Sequence, residues 1–318
     1  MTLPPAVIVT GPTAAGKTGI ALALARRFPV HLISADSAQV YRGMDIGTAK
    51  PDAATLARYP HALVDLRDPE QPYSAAEFER DARHEIRAAR DAGRIPVVVG
   101  GTVLYLRALR WGLDPMPAAD PDLRRRLSAE AARRGWPALH ARLAELDPAS
   151  ARRIRSNDPQ RIQRALEICL ASGRPASELR RGGATDRLAG SRQLVVCPGG
   201  RDILHKRIEE RFRAMLDNGL VAEVEALMAR PGWRRDLPAM RAVGYRQVID
   251  WLCGDLARDA LAARGAAATR QLAKRQITAL RQWTGAMWYD PLNRRTKDRI
   301  INAVRRLGAT SGVGWQVD

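Results

Sequence analysis

The sequence predicts an α/β protein in which helices cover both faces of a parallel sheet and an all-helical domain interrupts the chain. Short apolar runs rich in Val and Ile alternate with stretches of helical periodicity in the first third, which is typical of parallel strands joined by helices. The middle of the chain is rich in Arg, is punctuated by proline and has no strand pattern. We therefore expect an α/β core at 1–112 and 194–318 and a helical insertion domain at 113–193.

The order of the elements follows from the apolar pattern. Between the expected strands, apolar residues recur three or four positions apart, as they do on one face of a helix. The expected strands are 6–10, 31–34, 95–99, 194–197 and 287–289. The expected helices are 19–28, one carrying Phe78, Ala82, Ile86 and Ala89, Arg-rich helices up to about 174, long helices within 202–283, and a closing helix at 298–307. A loop rich in Gly, Arg and Ser follows residue 174.

The formal net charge of +18 rests mostly on Arg, since the chain has only five Lys. A coding bias explains the choice of Arg over Lys but not the excess over Asp and Glu, so the composition favours a polyanionic partner. Cys169, Cys197 and Cys253 lie far apart with no CxxC pair, which argues against a zinc knuckle or a disulfide framework and fits the reducing cytoplasm. The apolar run at the N-terminus is too short for a signal peptide or a membrane span.

A glycine-rich segment after the first expected strand matches the phosphate-binding P-loop pattern. It consists of Gly11, Pro12, Thr13, Ala14, Ala15, Gly16, Lys17 and Thr18. In such a loop the backbone amides and the helix N-terminus face the phosphates, Lys17 supplies a cation, and Thr18 offers its hydroxyl to Mg²⁺. The segment predicts a P-loop NTPase-like core but leaves the ligand open, because a kinase, an NTPase and a prenyl transferase all bind a diphosphate in this way.

Asp36 follows the second expected strand, so it should emerge beside the P-loop at the edge where open α/β sheets bind their ligands. Two functional roles are open from spacing alone: a carboxylate that contacts Mg²⁺ through water, or a general base that acts on an acceptor. A third possibility is a loop aspartate that caps a turn with Ser37.

Further segments resemble the tRNA dimethylallyltransferases, also called tRNA isopentenyltransferases. The P-loop is similar to theirs, with Ala15 where Ser is frequent, and ISADSAQVYRGMDIGTAKP at 33–51 resembles their second signature. The resemblance continues in order through GGT and LY at 100–105, NDPQRIQRALE at 157–167, RAVGYRQ at 241–247 and TRQLAKRQIT at 269–278. It spans nearly the whole chain, which makes it far more specific than any single motif.

The resemblance implies transfer of a dimethylallyl group from dimethylallyl diphosphate to the exocyclic N6 amine of the adenosine 3′-adjacent to the anticodon in tRNA, giving N6-isopentenyladenosine. It implies Asp36 as the general base, Thr102 as the residue that helps Asp36 to orient the amine, and Lys17 and Arg211 at the diphosphate with Mg²⁺ as cofactor. A monomeric, cytoplasmic enzyme that binds tRNA and no membrane is expected.

The resemblance also implies several tRNA-binding segments. Their residues are Asp36, Ser37, Ala38, Gln39, Thr102, Arg124, Gln160, Arg161, Ile162, Gln163, Arg164, Arg241, Ala242, Val243, Gly244, Tyr245, Arg246, Lys274, Arg275, Gln276, Ile277, Thr278, Ala279, Leu280 and Arg281. Ala279 stands where the family pattern has Trp. Helical spacing independently places Arg270, Lys274, Thr278 and Arg281 on one face of the last segment. The opposite face carries Leu272, Ala273, Ile277, Leu280 and Trp283.

Two rival functions also fit parts of the sequence. A P-loop enzyme that acts on a free nucleotide, such as a kinase or an adenylate prenyltransferase, explains residues 1–110 but not the Arg-rich helices that follow. A non-catalytic RNA-binding protein with a relic P-loop is the other rival, and the presence of Lys17, Thr18 and Asp36 argues against it.

Overall fold

The computed structural model describes residues 3–180 and 185–310, and the loop rich in Gly, Arg and Ser expected after 174 lies partly outside these ranges. The chain forms two compact units. The first consists of the residues up to Arg110 and those from Asp186 onward, and the second is Trp111–Thr185. No helix in the described ranges has the length and apolar character needed to cross a bilayer.

A six-stranded sheet is the centre of the first unit. Its strands are β1 (Val7–Thr10), β2 (Val30–Ser34), β3 (His61–Ala62), β4 (Ile95–Val99), β5 (Arg192–Val196) and β6 (Met287–Tyr289). They lie in the order β3-β2-β4-β1-β5-β6 and every pairing is parallel. The predicted parallel α/β fold is therefore confirmed, and all carboxyl ends of the strands meet at one edge of the sheet.

Nine α-helices and one short 3₁₀ turn complete the described part of this unit. They are α1 (Lys17–Ala25), α2 (Ala53–Arg58), α3 (Ala75–Asp91), α4 (Val103–Trp111), α9 (Arg201–Asp217), α10 (Leu220–Met228), the 3₁₀ turn Ala239–Arg241, α11 (Tyr245–Leu252), α12 (Leu261–Leu280) and α13 (Thr296–Thr310). The four apolar positions predicted for α3 are the residues it buries. A capping box between Ser74 and Glu77 fixes its first turn.

Both faces of the sheet are buried. On one face, Ile20 and Leu24 of α1 and Val304 of α13 pack in the cluster that includes Val7 and Val97. The alternate residues of the same strands, Ile8, Ile33, Val98 and Val195, point to the other face and are also fully buried. The polar groups that could act on a ligand are thus confined to the loops at the ends of the strands.

The second unit is helical: α5 (Pro121–Arg134), α6 (Trp136–Leu146), α7 (Pro148–Arg153) and α8 (Pro159–Ser172). Its own core includes Leu127, Leu139, Leu143, Ile162 and Leu166. The unit ends at Thr185 rather than at the expected 193. The reason is that the residues just before β5 are bonded to the sheet unit: the Arg187 amide donates to the Arg110 carbonyl, and the Ser191 hydroxyl accepts from the Ala6 amide.

Candidate active site

The P-loop lies between β1 and α1, as predicted. Gly11 leaves β1 with φ +148°, and a Cβ there would lie 2.0 Å from the Val196 carbonyl oxygen, so only glycine allows β5 to pass this closely. Gly16, at φ +88°, turns the chain into α1. Within the described chain, the amides of Gly16, Lys17 and Thr18 have no hydrogen-bond acceptor. They are free donors at a helix N-terminus, which is the arrangement that binds phosphate.

Lys17 is held over the loop, because its Nζ donates to the Pro12 carbonyl at 2.8 Å. Burial lowers the pKa of Lys17 from 10.5 to about 8; Asp36 opposes this shift and Arg211 adds to it. The ammonium is therefore poorly solvated and lacks a close anion. A bound diphosphate would supply that anion.

Two arginines of α9 extend this positive site. Arg207 donates from Nε to the Ala14 carbonyl of the P-loop at 3.0 Å. Arg211, one turn further on, is partly buried. Burial lowers the pKa of its guanidinium, while Asp36 raises it and Arg207 lowers it. Arg207 and Arg211 share one face of the helix because they are four residues apart.

Asp36 lies in the loop directly after β2. Its Oδ1 accepts a hydrogen bond from the Ala38 amide at 3.0 Å. Thr102, after β4, accepts from the Ser37 amide at 2.9 Å and donates to the Ser37 hydroxyl at 3.2 Å. The Thr102 side chain thus braces the loop that carries Asp36, which differs from the helix-capping role that its position before α4 would allow.

The side chain of Gln276 connects the P-loop to the loop after β4. Its Oε1 accepts from the Thr13 amide at 2.9 Å, and its Nε2 donates to the Gly101 carbonyl at 2.7 Å. The side chain is buried, so it acts as a spacer between the P-loop and the loop after β4. Both ends of its amide are used, although the family resemblance places this residue among the tRNA contacts.

A second brace fixes the long loop after β2. The Glu223 carboxylate of α10 accepts hydrogen bonds from the amides of Asp45, Ile46 and Gly47 at 3.0, 2.7 and 3.2 Å. The Tyr245 hydroxyl donates to the same carboxylate at 2.5 Å. A Cβ on Gly47 would lie 2.5 Å from the Tyr245 ring, so glycine is required for this close approach.

These elements surround a cavity of about 1250 Å³ at the carboxyl edge of the sheet. Its lining brings together half of the residues predicted for catalysis, for the diphosphate and for tRNA. They are Thr13, Ala14, Gly16, Lys17, Thr18, Asp36, Ser37, Ala38, Gln39, Thr102, Arg211, Arg241, Ala242, Val243, Tyr245, Arg275 and Gln276. The cavity also has an apolar part formed by Ile208, Phe212, Met215 and Leu272.

The predicted tRNA residues of the helical unit are largely engaged within that unit. Glu167 is fully buried, accepts hydrogen bonds from Arg124 at 3.1 Å and forms an ion pair with Arg164 at 3.0 Å. Gln163 donates to the Arg124 carbonyl and the Ser128 hydroxyl. Gln160 and Arg161 are exposed at the start of α8, whereas Ile162 belongs to the core.

The tRNA-binding residues predicted outside the helical unit include both exposed and buried side chains. Exposed residues are Arg241, Arg246, Lys274, Arg275, Thr278 and Arg281. Gly244, Tyr245, Gln276 and Leu280 are buried, and Ile277 and Ala279 are partly buried. The buried residues could influence a bound RNA only through the neighbours that they position.

Sequence reasoning missed Arg207 and Glu223. The four-residue spacing between Arg207 and Arg211 was a usable signal for the first, because it places both cations on one helical face. No local pattern marks Glu223, since the amides that it binds lie in a loop more than 170 residues earlier in the chain.

The fold and the site together define an α/β protein with a P-loop and an acidic side chain, Asp36, in one cavity. A model of the IPP transferase family matches residues 39–283. A tRNA dimethylallyltransferase of Thiobacillus denitrificans is 57% identical over 91% of this chain and 93% of its own. The chain therefore belongs to the IPP transferase family.

Solved structures agree with this placement. The full-length tRNA isopentenylpyrophosphate transferase from Bacillus halodurans has a TM-score of 0.70 at 33% identity, over 96% of this chain and 97% of its own. A eukaryotic dimethylallyltransferase acting on tRNA has a TM-score of 0.78 at 23% identity. The match covers 98% of this chain and 81% of the other, and it supports the fold.

Proposed function

We propose that the protein transfers the dimethylallyl group of dimethylallyl diphosphate to the N6 amine of the adenosine 3′-adjacent to the anticodon in tRNA. The observation that carries the proposal is the meeting of the P-loop cation Lys17 and the carboxylate of Asp36 in one cavity. A diphosphate leaving group and an amine nucleophile need groups of opposite charge at two ends of one chamber. Membership of the IPP transferase family and the Thiobacillus relative support the same reaction.

In this mechanism the bond between the allylic carbon and the diphosphate oxygen breaks as the N6–carbon bond forms. The leaving diphosphate gains charge, which the amides of Gly16, Lys17 and Thr18 and the cations of Lys17, Arg207 and Arg211 stabilise. The low pKa of Lys17 supports this role, because binding a dianion restores its full charge.

The adenine amine is a weak nucleophile, because its lone pair is conjugated with the ring. Asp36 accepts the proton that the amine loses as the new bond forms. Thr102 holds Ser37 and thereby the loop that presents Asp36. The apolar side chains of Phe212, Met215 and Leu272 offer a surface for the isoprenoid chain.

Mg²⁺ is the proposed cofactor. Thr18 lies exposed at the cavity with no hydrogen-bond partner for its hydroxyl in the described chain. Oxygen donors of this kind suit Mg²⁺, which is usually held by one or two protein groups, waters and the phosphates of a substrate. When bound, the ion would neutralise charge on the departing diphosphate.

The RNA is proposed to contact both units. The target adenine must leave the stack to reach Asp36, at a cost of a few kcal/mol that contacts elsewhere offset. Arg241, Arg246 and Lys274 are exposed cations suited to that purpose. In the helical unit Gln160 and Arg161 are exposed in the same way. We expect the enzyme to act as a monomer in the cytoplasm.

The test is incubation of the protein and Mg²⁺ with labelled dimethylallyl diphosphate and one of three acceptors: tRNA, the same tRNA with guanosine replacing the target adenosine, or AMP. We expect label in the first acceptor alone. Label in AMP would instead indicate an adenylate prenyltransferase. Binding of tRNA with no label in any acceptor would indicate an RNA-binding protein without this activity.

A further inference from the structure

A second cavity, of about 850 Å³, lies beside the first turns of α9 and along α12. The two helices contribute different residues to the two cavities. Arg207, Arg211, Leu272 and Arg275 line the first cavity. The second is lined by Arg201, His205, Arg270, Lys274, Thr278 and Arg281, together with Trp288 of β6 and Asp290 directly after this strand. We call this second cavity the basic groove.

The charges of the basic groove are not balanced within the protein. Arg201, Arg270, Lys274 and Arg281 form no ion pair or side-chain hydrogen bond with any residue in the described ranges. The one acidic side chain of the lining, Asp290, already accepts hydrogen bonds from the amides of Gly199 and Leu292 at 3.1 and 2.9 Å. Four cations therefore outnumber the single carboxylate of this concave surface, which favours a polyanionic ligand.

Trp288 gives the basic groove an aromatic surface. It lies on β6, at the edge of the sheet, and its neighbours Met287 and Tyr289 pack into the core cluster on the opposite face. Trp288 is 40% exposed, which is unusual for a residue with so large an apolar side chain. Free cations beside an accessible indole are the combination that binds unpaired nucleotides, through phosphate contacts and base stacking.

We infer that the basic groove binds a single-stranded stretch of the RNA that flanks the modified adenosine, with one unpaired base stacked on Trp288 and phosphates on Arg201, Arg270 and Arg281. This inference rests on the proposed function, since it extends the path of the RNA beyond the first cavity. The wall shared by α9 and α12 places the two cavities side by side. An RNA loop that inserts its adenine into the first would therefore have its neighbouring nucleotides near the second.

The first experiment measures binding of a fluorescein-labelled anticodon stem-loop RNA by anisotropy, in parallel with KM for the RNA and for dimethylallyl diphosphate. Trp288→Ala should raise the Kd and the KM for RNA about tenfold, and Trp288→Phe, which keeps a stacking ring, should recover most of the loss. The KM for the diphosphate should not change. Equal RNA affinity in the wild type and Trp288→Ala would overturn the stacking assignment.

The second experiment tests the cations of the basic groove through the salt dependence of RNA binding. The double variant Arg201→Ala/Arg281→Ala should flatten the dependence of log Kd on log salt by about 0.7 for each phosphate that the protein no longer neutralises. The matched control is Arg27→Ala/Arg94→Ala, two exposed arginines at the amino edge of the sheet, which should leave the slope unchanged. An equal slope in both double variants would exclude RNA from the groove.

Failure of the inference and failure of the proposed function give different results. Absence of stem-loop binding by the wild-type protein would overturn both. Normal binding and prenylation by the wild type and by all groove variants would overturn the inference alone.

Discussion

The side chain of Gln276 accepts a hydrogen bond from the Thr13 amide of the P-loop at 2.9 Å, across 263 residues of sequence. Its other end donates to Gly101, so the spacing between the diphosphate and acceptor loops depends on one buried amide. Any change in that spacing should alter catalysis before it alters the fold.

Gln276→Ala should therefore lower kcat by about one to two orders of magnitude, because the partly buried Thr13 amide loses its partner at a cost of about 1–3 kcal/mol. The control is Gln282→Ala, an exposed glutamine just after α12. Steady-state kinetics with both variants checks the expectation. Equal kcat values for the two would contradict the spacer role.

The donor site should respond to pH through Lys17. The pKa of this ammonium is about 8 in the unliganded protein, so it is charged below that pH and neutral above it. Because a diphosphate binds the charged form, donor affinity should be full below pH 8 and fall as pH rises above 8, by up to tenfold per pH unit. Titration of donor binding from pH 6.5 to 9.5 measures this dependence.

Lys17→Arg is the matched variant for that titration. Its guanidinium stays charged over the whole range, so donor binding should be weaker but independent of pH. The same fall above pH 8 in this variant would assign the titration to another group.

The proposed role of Asp36 as proton acceptor can be tested separately from its hydrogen bond to the Ala38 amide. Asp36→Asn keeps an oxygen for the Ala38 amide but cannot take a proton, so kcat should fall by about 10²–10⁴-fold with tRNA binding changed by only a few-fold. Asp91→Asn, at an exposed position, is the control. Equal losses in rate and in tRNA affinity would assign Asp36 to binding instead.

The Glu223 brace should control the acceptor side of the cavity. A carboxylate can satisfy four converging donors, whereas the NH₂ group of glutamine would face N–H groups. Glu223→Gln should therefore raise the KM for tRNA several-fold, with a smaller effect on the KM for the donor. Tyr245→Phe should raise the KM for tRNA by a smaller factor.

Glu225→Gln, exposed on the same helix, is the matched control and should behave like the wild type. Thermal unfolding of each variant separates loop positioning from global destabilisation. A loss of Tm with both KM values unchanged would make the brace structural only.

The regular parts of this molecule were accessible from the sequence. The apolar runs of β1, β2 and β4 and the four-residue periodicity of α3 are local signals, and the P-loop is a contiguous pattern. By contrast, β3 has only two residues and no periodicity, and its place beside β2 depends on packing.

The placement of Lys17 and Asp36 in the cavity was predictable, because each follows a buried strand in the sequence. The site was not predictable where a polar side chain serves the backbone of a distant loop. Gln276 lies on α12, whose exposed face is basic. It is buried because its side chain contacts the P-loop, which is far away in the sequence. Helical periodicity placed Leu272 with the buried residues, yet it is only partly buried and lines the active-site cavity.

The most direct test of the central claim is a crystal structure of the protein with an unreactive analogue of dimethylallyl diphosphate and an anticodon stem-loop RNA. We expect the diphosphate on the amides of Gly16–Thr18, with the Asp36 carboxylate within about 2.6–3.2 Å of the flipped adenine N6. A diphosphate bound away from these amides, or an Asp36 carboxylate turned away from the RNA, would contradict the claim.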